Sequence, residues 1–117
     1  MFCKLQIRKF FGSTLFHQRW KGVANDIAEL IEEKYEDSPS FIDLEVMDEL
    51  LKVSFKPGVV FILNRQSAKD EIWFSSPFSG PSQFYFDEEA SEWRNKFNKK
   101  LFETVLTDLE KAAKIEN

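Results

Sequence analysis

The spacing of apolar residues changes twice along this chain, and these changes limit the folds open to it. In residues 14–36 apolar residues recur every three or four positions, which predicts one amphipathic helix. Pro39 ends this pattern because proline cannot continue a helix. The period then becomes two through about six short segments, and residues 98–115 return to the helical period.

The segments of period two predict a one-sided sheet. In residues 41–46, Ile42, Leu44 and Val46 alternate with Asp43 and Glu45, so we expect the three apolar side chains on one face. Further strands are predicted at residues 51–55, 59–63, 71–75 and 83–86 and around Trp93. In the last helix we expect one buried face, formed by Leu101, Phe102, Val105, Leu109 and Ala112.

Short connections between these segments favour a mostly antiparallel sheet. The predicted fold is an α/β (α+β) two-layer sandwich in the order α-β-β-β-β-β-β-α, with both helices on one face of about six strands. The other sheet face is left to solvent. The length of 117 residues suits one domain.

Several classes of function lack their usual sequence signals. Cys3 is the only cysteine, which excludes an internal disulfide framework and a cysteine-based zinc site. His17 is the only histidine, and neither a glycine-rich phosphate loop nor a dinucleotide-binding pattern is present. No apolar run is long enough for a membrane-spanning helix. We therefore expect neither a membrane nor a nucleic-acid partner.

Charge is distributed very unevenly along the chain. Residues 1–25 carry five basic residues and no acid, whereas residues 26–49 carry ten acids and a single base, Lys34. The remainder is balanced. Residues 1–13 are basic and acid-free, which is typical of a mitochondrial-type targeting leader, so we divide the chain into a leader (1–13) and a domain (14–117). A basic tail on a cytoplasmic protein is the alternative.

We call the ten carboxylates of residues 26–49 the acidic surface. Oxygen ligands of this kind suit hard cations, including Ca²⁺, Mg²⁺, Mn²⁺ and iron. A solvated helix face and electrostatic attraction of a basic protein partner are the alternatives. The candidate metal ligands are Asp26, Glu29, Glu32, Glu33, Glu36, Asp37, Asp43, Glu45 and His17, and Asp48 and Glu49 complete the acidic surface.

A tryptophan in the predicted fourth strand is the candidate for a protein contact. If Ile72 and Phe74 face the helices, the alternation places Trp73 on the uncovered sheet face. An exposed tryptophan in such a position is typical of a binding hot spot.

Residues 64–66 (NRQ) and 72–81 (IWFSSPFSGP) resemble the signature of the frataxin family. The family pattern is Asn-Lys-Gln, then Ile-Trp-Leu-Ser-Ser-Pro, then Ser-Gly-Pro. Arg65 replaces the usual lysine and keeps its charge. The order of predicted helices and strands also agrees with the family's fold.

The resemblance implies a function that the residues alone do not. A frataxin-like protein would bind Fe²⁺ or Fe³⁺ weakly on the acidic surface. It would dock on the cysteine desulfurase–scaffold complex of iron–sulfur cluster biogenesis, as an iron chaperone, an allosteric regulator or both. The implied partner-binding residues are Asn64, Arg65, Gln66 and Trp73.

The resemblance also leaves alternatives open. A ferroxidase or iron-storage enzyme that oxidises Fe²⁺ with O₂ is the alternative function. The expected form is a monomer that becomes oligomeric with iron. The expected location is the matrix of a mitochondrion or a related organelle, with the bacterial cytoplasm as the alternative.

Overall fold

The structure is a computed structural model that describes the backbone of residues 4–114 and the side chains of residues 15–114. It contains two helices, six strands and one 3₁₀ turn. In chain order these are α1 (Lys4–Lys34), β1 (Phe41–Val46), β2 (Leu50–Phe55), β3 (Val59–Gln66), the 3₁₀ turn (Ser67–Lys69), β4 (Glu71–Ser75), β5 (Ser82–Asp87), β6 (Glu92–Arg94) and α2 (Leu101–Ala113).

The six strands form one antiparallel sheet in which each strand pairs with its neighbours in the sequence, from β1 at one edge to β6 at the other. Alternate strand residues such as Val53, Phe61 and Phe74 are buried in one core with residues of both helices, among them Trp20 and Leu109. The two-layer prediction is therefore confirmed. We call the sheet face without helices the open face.

The first helix is longer than its apolar spacing predicts. It begins at Lys4 instead of residue 14, and it ends at Lys34, two residues before the expected end. The predicted leader, residues 1–13, lies outside the side chains that the structure describes, and residues 1–3 lie outside the described backbone as well. The leader stays a prediction. Neither described helix is long and apolar enough to cross a membrane.

The first strand departs from regular alternation. Phe41 pairs with Phe55 and Asp43 with Ser54, and the register shifts between the two pairs. Such a bulge inserts one extra residue, so Phe41 takes the core position expected for Ile42. Ile42 is 52% exposed and Val46 49%, so of the three residues predicted on one apolar face only Leu44 packs against the core.

The second helix also differs from its predicted buried face. Phe102 is 38% exposed, whereas Asp108 is 2% exposed and lies among the apolar residues of the buried stripe. The third strand is longer than expected, because it continues through Asn64 and Arg65 to Gln66. All three residues of the NRQ motif are therefore strand residues.

Candidate functional site

The acidic surface lies where α1 packs against the edge strand β1. All ten of its carboxylate residues are exposed. Four belong to α1, two follow the end of α1, two belong to β1, and two lie in the turn between β1 and β2. The fold thus gathers on one side of the molecule the acids that the sequence places in one fifth of the chain.

Most carboxylates of the acidic surface have no cationic partner. Within residues 15–114, only two of the ten lie within 4.0 Å of a basic group: Lys21 Nζ lies 3.8 Å from Asp48, and Arg65 Nη2 lies 2.8 Å from Glu49. Lys34, the one base of this segment, binds Glu110 on α2 at 2.7 Å. The other eight carboxylates repel one another, so a bound cation would relieve that repulsion.

The acidic surface does not contain a closed metal site. Among the side chains of residues 15–114, no three His, Cys, Asp or Glu lie close enough to hold one ion together. A cation would therefore meet one or two carboxylates and keep water in its remaining coordination positions.

His17 contacts a cation instead of a group of carboxylates. Its Nδ1 forms a hydrogen bond with Arg65 Nη1, and both side chains are partly buried. Because a guanidinium can only donate, His17 Nδ1 is the acceptor in this contact. The adjacent positive charge disfavours a metal ion at this end of the ring.

Three of the four predicted partner-binding residues share the open face. Asn64 pairs with Trp73, which pairs with Gln83, and these three form a row across β3, β4 and β5. Gln66 belongs to the next row, opposite Glu71. Ile72 and Phe74 are buried on the helix side, and this places Trp73 on the open face.

Trp73 and Asn64 differ in how their polar atoms are satisfied. Trp73 Nε1 donates a hydrogen bond of 2.9 Å to Glu71 Oε1, which holds the partly buried indole over the sheet. Asn64 Oδ1 is buried and accepts no hydrogen bond from the residues that the structure describes. A buried acceptor without a donor is costly for the fold.

Arg65 does not share the open face with its sequence neighbours. It pairs with the buried Ile72, and its side chain reaches His17 of α1 and Glu49. Arg65 therefore lies on the other side of the sheet from Asn64, Gln66 and Trp73, and its role in partner binding stays a prediction. The reason is the strand itself, because adjacent strand residues point to opposite faces.

The sequence reasoning missed a buried cluster that fixes the loop between β4 and β5. Ser76 Oγ and Ser79 Oγ each donate a hydrogen bond of 2.6 Å to Asp108 Oδ2. Ser76 Oγ also accepts the backbone N–H of Phe78 at 3.0 Å. Gly80, at φ +80°, turns the chain toward β5. The sequence indication of this cluster is Asp108 itself, an aspartate among the apolar residues of the buried stripe of α2.

A model of the frataxin-like domain matches residues 10–115. This chain belongs to the frataxin family. The match covers nearly all of the chain and includes the acidic surface, the open face and the Ser76–Ser79–Asp108 cluster.

Curated relatives of this frataxin-like chain come from bacteria and a plant. The iron-sulfur cluster assembly protein CyaY of Vibrio parahaemolyticus is 34% identical over 103 residues, covering 87% of this chain and 92% of its own length. Frataxin, mitochondrial, of Arabidopsis thaliana is 32% identical over 71% of this chain. CyaY of Thioalkalivibrio sulfidiphilus is 37% identical over 50% of it. The last two matches cover only about half of those relatives, 47% and 54% of their lengths.

Solved frataxin structures share the fold. Frataxin from Psychromonas ingrahamii superposes with a TM-score of 0.64 at 20% identity, over 85% of this chain and 89% of that one. Trimeric frataxin from Saccharomyces cerevisiae, complexed with ferrous, gives a TM-score of 0.63 at 24% identity, over 86% of each chain.

Proposed function

We propose that this protein acts in iron–sulfur cluster assembly as a frataxin-like binding protein. Family membership supports this, together with two relatives named as iron–sulfur cluster assembly proteins. The observation that carries the proposal is a row of polar and aromatic side chains, Asn64, Trp73 and Gln83, across the sheet face that no helix covers.

The open face is the proposed docking surface for the cysteine desulfurase–scaffold complex. Trp73 offers a large amphipathic contact area near the middle of the sheet, the position of a typical hot spot. Asn64 lies beside it in the same row of the sheet. Gln66 extends this surface by one row.

The acidic surface is the proposed site of iron binding, with iron as cargo. Eight carboxylates without a cation among the described residues favour Fe²⁺ or Fe³⁺ at several exchangeable positions. Weak binding suits an iron chaperone because the ion must be released. The ferrous complex of the yeast frataxin is consistent with iron as the ligand.

The docking proposal is tested by desulfurase turnover with a matched desulfurase–scaffold pair at fixed iron. We expect this protein to change the turnover and Trp73→Ala to remove most of the change, because the hot spot is lost. Phe102→Ala is the matched control, since it truncates a partly exposed aromatic of α2, on the covered side of the sheet. Equal effects of the two variants would contradict the open-face assignment.

The iron proposal is tested by an anaerobic Fe²⁺ titration of a charge-removal variant. We expect the combined substitutions Asp26→Asn, Glu29→Gln, Glu33→Gln and Asp43→Asn to weaken iron binding strongly. The control removes four acids outside the acidic surface: Asp70→Asn, Asp87→Asn, Glu89→Gln and Glu103→Gln. If both variants bind iron as the parent does, iron is not held at the acidic surface.

Two further expectations stay proposals. Targeting by residues 1–13 is checked by incubating the full chain with isolated mitochondria. The molecular mass of the imported protein then shows whether these residues were removed. The bacterial cytoplasm is the alternative location, and two of the relatives named above are bacterial. Ferroxidase activity rests on the family resemblance, and no observation among the described residues favours it.

A further inference from the structure

An open groove runs along the β6 edge of the sheet. β6 pairs only with the second half of β5, from Tyr85 to Asp87. Within the described residues, no strand pairs with Ser82–Phe84 on that side. The groove begins beside Trp73, follows this part of β5 and continues along α2 from Glu103 to Lys111.

The loop between β6 and α2 forms one wall of the groove, and it is basic and aromatic. Lys96, Lys99 and Lys100 line it, and Phe97 at its tip is 70% exposed, the largest exposure of any apolar side chain described here. Asn95 fixes the loop, because its Oδ1 accepts the backbone N–H groups of Phe97 and Lys99. Phe97 is thus held exposed by an ordered backbone.

The positive charges of the groove are mostly unpaired. Lys96, Lys99 and Lys111 have no acid within 4.0 Å among residues 15–114. The acids that line the groove are already engaged: Glu71 with Trp73, Glu103 with Lys100, and Asp108 with Ser76 and Ser79. An anionic ligand would therefore meet three ammonium groups without an acidic partner, of which Lys96 lies over the ring of Phe97 and Lys111 over that of Phe78.

We propose that this groove binds an extended, carboxylate-rich segment of a partner protein. The segment would pair its backbone with the accessible part of the unpartnered β5 edge, at Ser82 and Gln83, as an added strand does. Phe84 is fully buried and takes no part. Its carboxylates would face Lys96, Lys99 and Lys111, and an apolar side chain would cover Phe97. Charge complementarity selects an acidic occupant, and the free strand edge selects an extended one. This site goes beyond the proposed function, because it needs neither iron nor a desulfurase.

The probe is a fluorescein-labelled peptide of about eight residues in which Glu and Val alternate around one Phe. Binding to the full chain is followed by fluorescence anisotropy. We expect saturable binding that weakens between about 50 and 500 mM salt, because the charges are exposed. A peptide with Gln for Glu tests the charge, and one with methylated backbone nitrogens tests the added strand.

Two variants of the groove and one control variant locate the site. Lys96→Glu with Lys99→Glu should raise the Kd at least about tenfold, because attraction becomes repulsion. Lys56→Glu with Lys69→Glu makes the same charge change at exposed positions outside the groove and should alter the Kd by less than about twofold. Phe97→Ser should raise the Kd about threefold to tenfold. Circular dichroism confirms that each variant is folded.

The peptide-binding results test the groove independently of the proposed function in iron–sulfur cluster assembly. No binding at about 1 mM peptide, equal loss in both lysine pairs, or full binding of the methylated peptide would each overturn it. Groove-dependent binding of an oligouridylate of equal charge, with none of the peptide, would also overturn it. Desulfurase stimulation is measured on the same variants, and its loss alone leaves the peptide result standing.

Discussion

The carboxylates of residues 26–49 and those of residues 88–110 have opposite surroundings. In the first group only Asp48 and Glu49 have a basic partner among the described residues. In the second group Glu88 binds Arg19 through two hydrogen bonds of 3.0 and 3.1 Å, and Glu92 binds Arg94 at 2.8 Å. Acids that connect elements of this fold carry basic partners, whereas most of the described acids without a basic partner lie on the acidic surface. Carboxylates with basic partners stabilise the fold, whereas carboxylates without them are available to a ligand.

The basic partners also shift the pKa values of the carboxyl groups in residues 88–110. A hydrogen bond from Arg19 lowers the pKa of Glu88, and one from Arg94 lowers the pKa of Glu92. Hydrogen bonds from Lys34 and then Tyr35 lower the pKa of Glu110. Burial, followed by the hydrogen bond to Glu110, raises the pKa of Tyr35. Glu110 thereby links the end of α1 to α2.

The largest effect is expected at Asp108, the one buried acid among the residues that the structure describes. Asp108→Ala leaves the hydroxyl groups of Ser76 and Ser79 without their acceptor, so we expect a loss of about 3 kcal/mol in the free energy of unfolding. Urea denaturation measures it. Asp37→Ala, at an exposed position, is the control and should cost less than about 0.5 kcal/mol. A loss at Asp108 no larger than at Asp37 would show that this cluster does not hold the loop.

Arg65 tests the division between the two sheet faces. Arg65→Ala removes a hydrogen-bond partner from both His17 and Glu49, and we expect it to cost about 1–2 kcal/mol of unfolding free energy. At temperatures where the variant is folded, desulfurase stimulation should equal that of the parent, unlike that of Trp73→Ala. Lys69→Ala is the exposed control. Loss of stimulation by folded Arg65→Ala would return this residue to the docking surface.

Neutralising the acidic surface should stabilise the fold. The four-fold amide variant used for the iron titration relieves repulsion among unpaired carboxylates, so we expect a gain of about 1 kcal/mol at low salt. The gain should shrink at high salt, where screening already weakens the repulsion. The four amide substitutions outside the acidic surface should give no such gain. A loss of stability in the first variant would mean that these carboxylates have structural partners.

The smallest effect is expected at Glu110. Glu110→Gln keeps an acceptor for Tyr35 and removes only the charge that faces Lys34, so we expect about 0.5 kcal/mol at pH 7. Because the folded pKa of Glu110 is lowered, its contribution is present above the unfolded pKa and is lost as the pH falls through the folded value. Thermal unfolding should therefore show the two proteins converging from about pH 5 downward. A gap that stays constant to low pH would contradict this assignment.

Hydrophobic periodicity predicted the number, type and order of the elements, because every strand but one alternates regularly against the helices. The exception is β1. Its bulge at Ile42 arises from the pairing with β2, and the alternation of apolar and polar residues in the sequence does not predict it. The early start of α1 could not be predicted from apolar spacing either, since that spacing begins only near residue 14.

The open-face residues were predictable in part. Alternation placed Trp73 correctly, and the same rule applied to residues 64–66 would have set Arg65 apart from Asn64 and Gln66. The predicted third strand ended at residue 63, before this motif, so the rule did not extend to it. Asp108 was missed because an ionisable residue in a buried stripe is identified only through its partners, and Ser76 and Ser79 lie about 30 positions away in the sequence.

The bulged first strand has a consequence for colloidal behaviour. β1 is an edge strand, and Ile42, Val46 and Met47 expose apolar surface along it. An edge of this kind is a template for aggregation unless charge or irregularity blocks it. Here the bulge and the neighbouring carboxylates supply both. Any condition that neutralises those carboxylates, acid or a saturating multivalent cation alike, removes one of the two barriers between this edge and that of a neighbouring molecule.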